Sequence, residues 1–420
     1  MSTLESLMRR CLALLAVSLV ACTNDTPRTS TALVRDSAGV RIVESHAPQW
    51  DDVTAWRLGG APLIDIGGET GDPDSELYRV VGALRLEDGR IVIANSGSHQ
   101  LRFYDPSGGY LGSAGGRGDG PGEFQGMRWV ARYGADSLVV YDSRHRRLSF
   151  FDFRGRFGGS LTLRAPYDSG DRSITVVSSA YSAVPLGVFA TGAYLASVTH
   201  RFSDLPTEGL VRPEVHLLFY DASGEFADTL GVFPGTELSV NSIVRGRTVS
   251  VLLFPPHFGR STTFLAHGNE FFVAVGDHYE VMVYGLDGRL RSLVRRDHKL
   301  LPVTQSELDE LLRMRLTDVD DDKSRRDMRR RFTSTASSES IPAVASIKID
   351  DLGNIWVEEY DWPHTGQPRW TVFDRNGQLL GTLPLPSSFT PYHIGADFIL
   401  GRWEDELDVE HVQLFRIVKP

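Results

Sequence analysis

Cysteine is almost absent: the 420 residues hold two, Cys11 and Cys22. Both stand near the N-terminus, so the long remainder can build no disulfide framework, no thiolate metal site and no cysteine nucleophile. A basic surplus is also lacking. Lys and Arg number 44 against 54 Asp and Glu, a formal net charge of −10, which excludes nucleic-acid binding through bulk electrostatics. The serine-hydrolase G-x-S-x-G and zincin H-E-x-x-H patterns do not occur. Asp318-x-Asp320-x-Asp322 begins like a calcium loop, but Lys323 stands where the loop needs Gly and Arg329 where it needs Glu. The glycine-rich GGRGDGPGEF (residues 115–124) leads into a strand-like segment at Trp129, not a helix N-terminus that would hold a phosphate.

Long apolar runs are scarce as well. The one at residues 11–20, preceded by Arg9 and Arg10, is too short to span a bilayer and has the form of a signal peptide. It ends in Leu19-Val20-Ala21-Cys22, a lipobox. The expectation is cleavage before Cys22, a lipid on that cysteine, and a polar tether over residues 22–34. Loss of residues 1–21 removes Glu5, Arg9 and Arg10, taking the net charge from −10 to −11. Thr23 follows Cys22 where an Asp would retain a lipoprotein at the inner membrane, so an outer-membrane address in the cell envelope is expected.

What the chain has in quantity is short β-rich runs punctuated by turn residues. Residues 80–115 read as a four-strand meander, with EDG at residues 87–89 turning the first hairpin and Asp105-Pro106-Ser107-Gly108 the last. The second pattern, two large apolar residues and then Asp-x-x-Gly, returns at Asp152, Asp221 and Asp374 and in degenerate form at residues 283–288. Its spacing of about 45 to 90 residues is irregular, and insertions account for the excess. RDSAGVRIVE (residues 35–44) is strand-like. Residues 63–67 look like an outer strand without its partners, and the C-terminal residues 398–402 and 409–417 look like early strands without an outer one. An N-terminal strand completing the last sheet would close a ring and hide the edges.

On RDSAGVRIVE, LEDGRIVIANSGSHQLRFYD, GGRGDGPGEF and the closing ILGRWEDELDVEHVQLFRI, the chain resembles bacterial six-bladed β-propeller lipoproteins of the NHL/TolB-like superfamily. The resemblance implies an all-β fold of six four-stranded antiparallel blades over residues 35–420. It carries over no activity residue by residue. Propellers of that superfamily include metal-dependent lactonases and lyases that work in a central channel. Asn95, Asp142 and Glu358 fall where blade mouths would place ligands, without completing such a set.

Insertion placement gives the functional expectation. Turns between first and second strands and between third and fourth are short, while long segments join blade to blade and second strand to third, two kinds of connection that emerge on one face. The longest holds a helical hairpin at about 303–333, opened by the capping box Thr304-x-x-Glu307. Its second helix runs from Asp320, Asp321 and Asp322 to Arg329, Arg330 and Arg331, as the helix dipole favours. Asp321–Arg325 and Asp322–Arg326 are the ion pairs expected on it.

The candidate binding residues all fall on this face. His99, Arg144, His145, His278 and His364 lie in or beside second-to-third-strand connections, and Glu358, Glu359, Tyr360, Asp361 and Trp362 mix carboxylates with aromatics in a way that suits sugars, peptides or cations. The expectation is a lipid-anchored, non-catalytic propeller binding an envelope protein, peptide or carbohydrate. No cofactor is required, although a channel metal has room. The competing expectations are a metal-dependent lactonase- or lyase-type enzyme and a structural adaptor.

Overall fold

Each Asp-x-x-Gly repeat closes the outer hairpin of a sheet, and the reason is local. Asp105 accepts backbone N–H bonds from Ser107 (2.8 Å) and Gly109 (2.9 Å) through one carboxylate oxygen, and Gly108 takes the left-handed φ of 92° that the turn demands. Asp152, Asp221 and Asp374 make the same pair of bonds. In the degenerate copy Gly285 replaces the Asp, and Asp287, two residues on, binds the Arg289 amide instead.

A computed structural model describes residues 32–68, 74–164, 183–199, 206–245, 248–363 and 366–420. Its strands form antiparallel sheets in chain order. Sheet I is Val80–Arg85, Ile91–Asn95, Gln100–Tyr104 and Tyr110–Gly115. Sheet II is Met127–Tyr133, Ser137–Asp142, Arg147–Asp152 and Phe157–Leu161. Sheet III is Val184–Val188, Tyr194–Thr199, Glu214–Tyr220 and Phe226–Pro234. Sheet IV is Thr263–His267, Glu270–Ala274, Glu280–Gly285 and Leu290–Arg296. Sheet V is Val344–Ile349, Ile355–Glu359, Arg369–Phe373 and Leu379–Pro384. Sheet VI is Phe389–Ile394, Phe398–Glu404 and Glu410–Val418, with Ile64–Gly67 as its outer strand.

The second strands are apolar on both faces because each sheet is covered twice. Ile91–Asn95 is buried at every residue. Six apolar clusters lie between neighbouring sheets. Phe103 and Leu101 meet Phe124, Leu138 and Phe151 between I and II, and Tyr141 meets Tyr194 and Tyr220 between II and III. Leu217 meets Phe271 and Val273 between III and IV, and Val281 meets Val357 and Phe373 between IV and V. Trp356 and Trp370 meet Phe389 and Ile399 between V and VI. The last cluster, Ile64, Ile66, Leu400 and Val412 with Val80 and Tyr104, returns from VI to I. This is a β-propeller, built of radially packed antiparallel sheets.

Two expectations about the N-terminal arm need correction. RDSAGVRIVE is a hairpin rather than one strand, Ala32–Ser37 folding back on Val40–Ser45 around Ala38 and Gly39. The strand begins inside the span read as tether, at Ala32, because Ala32 has a ladder partner in Ser45. The second arm of the hairpin lies parallel to Leu290–Arg296 at the rim of sheet IV. The chain then crosses sheet V, where the Gln49 and Trp50 amides bond the carbonyls of Leu379 and Leu380, before Ile64–Gly67 completes sheet VI. The arm is thus a belt over three successive sheets. Residues 1–31, including the lipobox, lie outside the described residues.

Candidate loop-face site

Among the described residues, parts of three long connections of one face fold into a layer of their own. Glu208–Val211, from the second-to-third connection of sheet III, pairs with Leu238–Arg245, from the segment joining sheets III and IV. Leu238–Arg245 also pairs with Thr248–Phe254, giving a three-stranded cap sheet. The segment joining IV and V supplies α1 (Gln305–Arg315) and α2 (Asp322–Ser334). The capping box forms as its sequence implies, with the Thr304 amide donating to Glu307 at 3.0 Å. Asp321 caps α2 by accepting the Ser324 amide at 2.9 Å. The expected ion pairs do not form: Asp321 caps the helix, Arg325 donates to the Val319 carbonyl at 2.7 Å, and the pairs within the hairpin are Glu310–Arg313 and Asp327–Arg330.

The helices share a small core with the segment that follows the cap sheet. Phe258, Leu311 and Ile341 are buried, with Leu308, Phe332, Tyr360 and Trp362 packed against them. The Trp362 ring meets Phe258 edge-on at 4.7 Å. His257 stacks on Phe332 at 3.8 Å and bonds its carbonyl at 3.0 Å. Burial lowers the His257 pKa and favours the neutral ring, whose Nε2–H makes that bond. An ionic clamp joins the layer to sheet IV. Arg212 grips both Asp277 oxygens at 2.7 and 2.8 Å, Asp277 also holds Arg260, and Arg260 binds the buried Glu237, which accepts from Ser338 as well.

The cluster at residues 358–362 is therefore divided among structural tasks. Glu358 accepts from the Ser346 hydroxyl at 2.6 Å. Glu359 is bound by Arg296 (2.6 Å), Arg369 (3.3 Å) and the Thr371 hydroxyl (2.7 Å). Burial would raise its pKa, but the Thr371 bond and the two guanidinium groups win and hold the carboxyl below its ordinary value. Asp361 accepts the Gly366 amide at 3.0 Å. Tyr360 and Trp362 are partly buried against the cap core. Their neighbour in it is Phe258, which the residues around the cluster gave no cause to place there.

Among the described residues, the candidate histidines sit in separate surroundings. His145 bridges Asp119 (2.8 Å) and the fully buried Asp142 (3.4 Å), with Arg144 exposed beside it. His99 has a φ of 58° and a buried Nδ1 with no hydrogen-bond partner among the described residues. His278 is exposed in a separate cleft of about 370 Å³ with Glu280, Arg295 and Arg296. His364 lies outside the described residues. Among the described residues, no three His, Cys, Asp or Glu side chains come together to hold a metal ion.

Asn95 and Asp142 turn out to be clips rather than channel ligands. Each ends the second strand of its sheet and holds the segment that enters the first: Asn95 accepts the Tyr78 amide, and Asp142 accepts those of Gln125 (2.6 Å) and Gly126 (3.0 Å). On the plain face, His393 Nδ1 accepts the Arg85 amide at 3.0 Å. An amide can only donate, so Nδ1 accepts and Nε2 faces Asp351 at 3.1 Å, a hydrogen-bonded bridge from sheet I through VI to V.

No family model matches the chain, and no curated relative does. Among solved structures it is similar to a protein described as exported from Bacteroides fragilis, at 10% identity over 90% of this chain and 99% of that one, with a TM-score of 0.48. A DUF4221 family member from Bacteroides vulgatus matches at 9% identity over 87% and 99%, with a TM-score of 0.46. Virginiamycin B lyase from Staphylococcus aureus matches at 8% identity over 87% and 100%, with a TM-score of 0.39.

Three features of the loop face escaped the sequence reading: the cap sheet, the Arg212–Asp277–Arg260–Glu237 clamp and the role of Phe258. The first had a signal. VSVLLF (residues 249–254) is a β-rich run after a Gly-containing turn, the ordinary mark of a hairpin strand. The clamp had none, because its members come from three different connections, those of Arg212, of Glu237 and Arg260, and of Asp277.

Proposed function

We propose that this is a six-bladed propeller, exported and anchored through a lipid on Cys22, which binds a partner on its loop-built face. One observation carries the binding reading. The cap layer has its own core and its own ionic clamp to sheet IV, and no residue of that core belongs to an inter-sheet cluster of the propeller. Structure of that kind, held on a rigid scaffold and clear of the scaffold's core, is the usual setting of a recognition surface. The six clusters and the Ile64–Gly67 closure support the blade count, and the lipobox supports the anchor.

A photo-crosslinking residue placed at Arg144, His278 or Asp320 on the loop face should give discrete crosslinked species in intact cells. The same residue at Ser107, Ser223 or Asn376, in the plain-face turns, should give none. Crosslinks confined to the plain face would overturn the reading. The anchor is checked separately by Cys22→Ser, which should release the protein from the membrane fraction or leave the precursor uncleaved; a processed variant that fractionates unchanged would refute it.

A further inference from the structure

The acidic chain concentrates positive charge in one place. Helix α2 carries six basic side chains against two acidic ones, in a protein of net charge −10. Arg326, Arg329 and Arg331 are exposed, and among the described residues none has an acidic partner within 4 Å. The end of α2 is fixed to the cap sheet: Asn241 donates to the Ser334 carbonyl at 2.7 Å, and the Ala336 amide donates to Ser239 at 2.9 Å.

Beside this helix runs an open apolar edge. Leu238–Arg245 is the middle strand of the cap sheet, so Thr248–Phe254 is an outer one, and no described strand pairs with its far side. Val251, Leu252, Leu253 and Phe254 are 38–42% exposed. Successive strand residues point to opposite faces, so four exposed in a row mean that neither face is covered here. Soluble proteins usually blunt such an edge with charge, proline or a bulge. Phe254 and Pro255 share a cleft of about 460 Å³ with Arg315 and Arg331, which places the apolar strand and the unpaired charge at one spot.

We propose that the Thr248–Phe254 edge captures an extended peptide segment of a partner protein, apolar at alternate positions and acidic beside them, by adding it as a fourth strand to the cap sheet. Main-chain bonds to the open edge would hold the segment, Leu252 and Phe254 would pack its apolar side chains, and Arg315 and Arg331 would pair its carboxylates. Two other occupants fit less well. A second copy docking edge to edge would bring like patches together, and so set one basic helix near another. A lipid surface would answer the positive charge, but sinking the edge into hydrocarbon would leave its peptide groups without partners. This inference rests on the loop-face binding reading and narrows it to one strand and one chemistry.

The test uses the full chain in detergent and a phage-displayed library of random dodecamer peptides. Enriched peptides should alternate apolar residues with at least two acids. A fluorescein-labelled copy should bind about tenfold or more weakly to Leu252→Glu and to Arg331→Glu, and more weakly as salt rises toward about 0.5 M, where surface charge is screened. Both side chains are exposed, so unchanged circular dichroism is expected, and Asn376→Glu on the plain face should bind as the parent does. The proposal falls if nothing is enriched, if enriched peptides lack acids, or if binding survives both substitutions. It also falls if Leu252→Glu abolishes a concentration-dependent dimer seen by ultracentrifugation, or binding to anionic phospholipid vesicles, while leaving peptide binding intact. Loop-face crosslinks at Arg144, His278 or Asp320 that persist in Leu252→Glu would keep the binding reading and remove this one.

Discussion

Removing residues 1–67 should abolish cooperative folding, while removing residues 1–31 should leave the melting temperature unchanged. The longer truncation takes away the whole N-terminal belt. Ile64–Gly67 pairs residue by residue with the C-terminal strand from His411 to Leu414, and Asp65 bonds the His411 ring at 2.8 Å and the Gln413 amide at 2.9 Å. Ile64 and Ile66 sit in the cluster that joins sheets VI and I. Ile42 and Val43 are buried against sheet IV, and Trp50 and Trp56 pack on the cluster between sheets V and VI. Each full aliphatic burial contributes about 1.5–3 kcal/mol, so the four aliphatics alone supply roughly 6–12 kcal/mol. That matches the whole stability of an ordinary domain, about 5–15 kcal/mol. Calorimetry of the two truncations decides the matter, and equal transitions would show that the belt is not needed to close the ring.

Asp142→Ala should be the most damaging single substitution among the polar residues, lowering stability by about 3 kcal/mol or more. The Asp142 carboxylate is completely buried and accepts four backbone amides, those of Gln125 (2.6 Å), Gly126 (3.0 Å), Arg144 (2.8 Å) and His145 (3.0 Å). Alanine would strand these donors, each at a cost of about 1–3 kcal/mol where water cannot reach. Asp142→Asn keeps an acceptor but no charge, and should fall between. The pH dependence follows from the direction of the shift. Burial works to raise the Asp142 pKa, but the amides of His145, Gln125 and Gly126 and the His145 charge outweigh it, and the folded value lies below the ordinary one. The unfolded state therefore takes up the proton first. The stabilisation is complete above the unfolded value of about 4 and is lost as pH falls through the folded one. Urea titrations at pH 7 and below pH 4 should show the parent losing stability toward acid more steeply than Asp142→Asn. Parallel losses would mean that other carboxylates dominate.

The repeating sheets were readable in the chain because their turns are closed by local chemistry. Asp105 and Gly108 sit three residues apart and need nothing else to declare a turn. The helix starts were readable for the same reason, since Thr304 and Glu307 satisfy each other. Long-range facts were harder. That Ile64–Gly67 completes the last sheet could be inferred, because an outer strand was missing at one end of the chain and spare at the other. That Val40–Ser45 runs parallel to Leu290–Arg296 could not, since nothing in either segment marks its partner. Asn95 and Asp142 show a different obstacle. A polar residue at the end of an apolar strand looks the same whether it awaits a ligand or clips the neighbouring backbone, and only the position of the donors separates the two. Trp362 was placed on the correct connection, but its partner Phe258 comes from another insertion, so its packing role was invisible.

The belt also governs the order in which the molecule can assemble. Asp65 and His411 meet across a separation of 346 residues, whereas sheets I and II are each built from strands adjacent in the chain. Local meanders close cheaply, and a contact between the two ends must wait until almost the whole chain is present. A chain emerging from its N-terminus would form its early sheets while residues 32–67, beyond their own hairpin, wait for the sheets they join, and the rims of sheets IV and VI would stand open until that segment was laid down. The last event in folding is then the arrival of some of the first residues made, and the exposed strand edges of the waiting intermediate are the place where aggregation competes with closure.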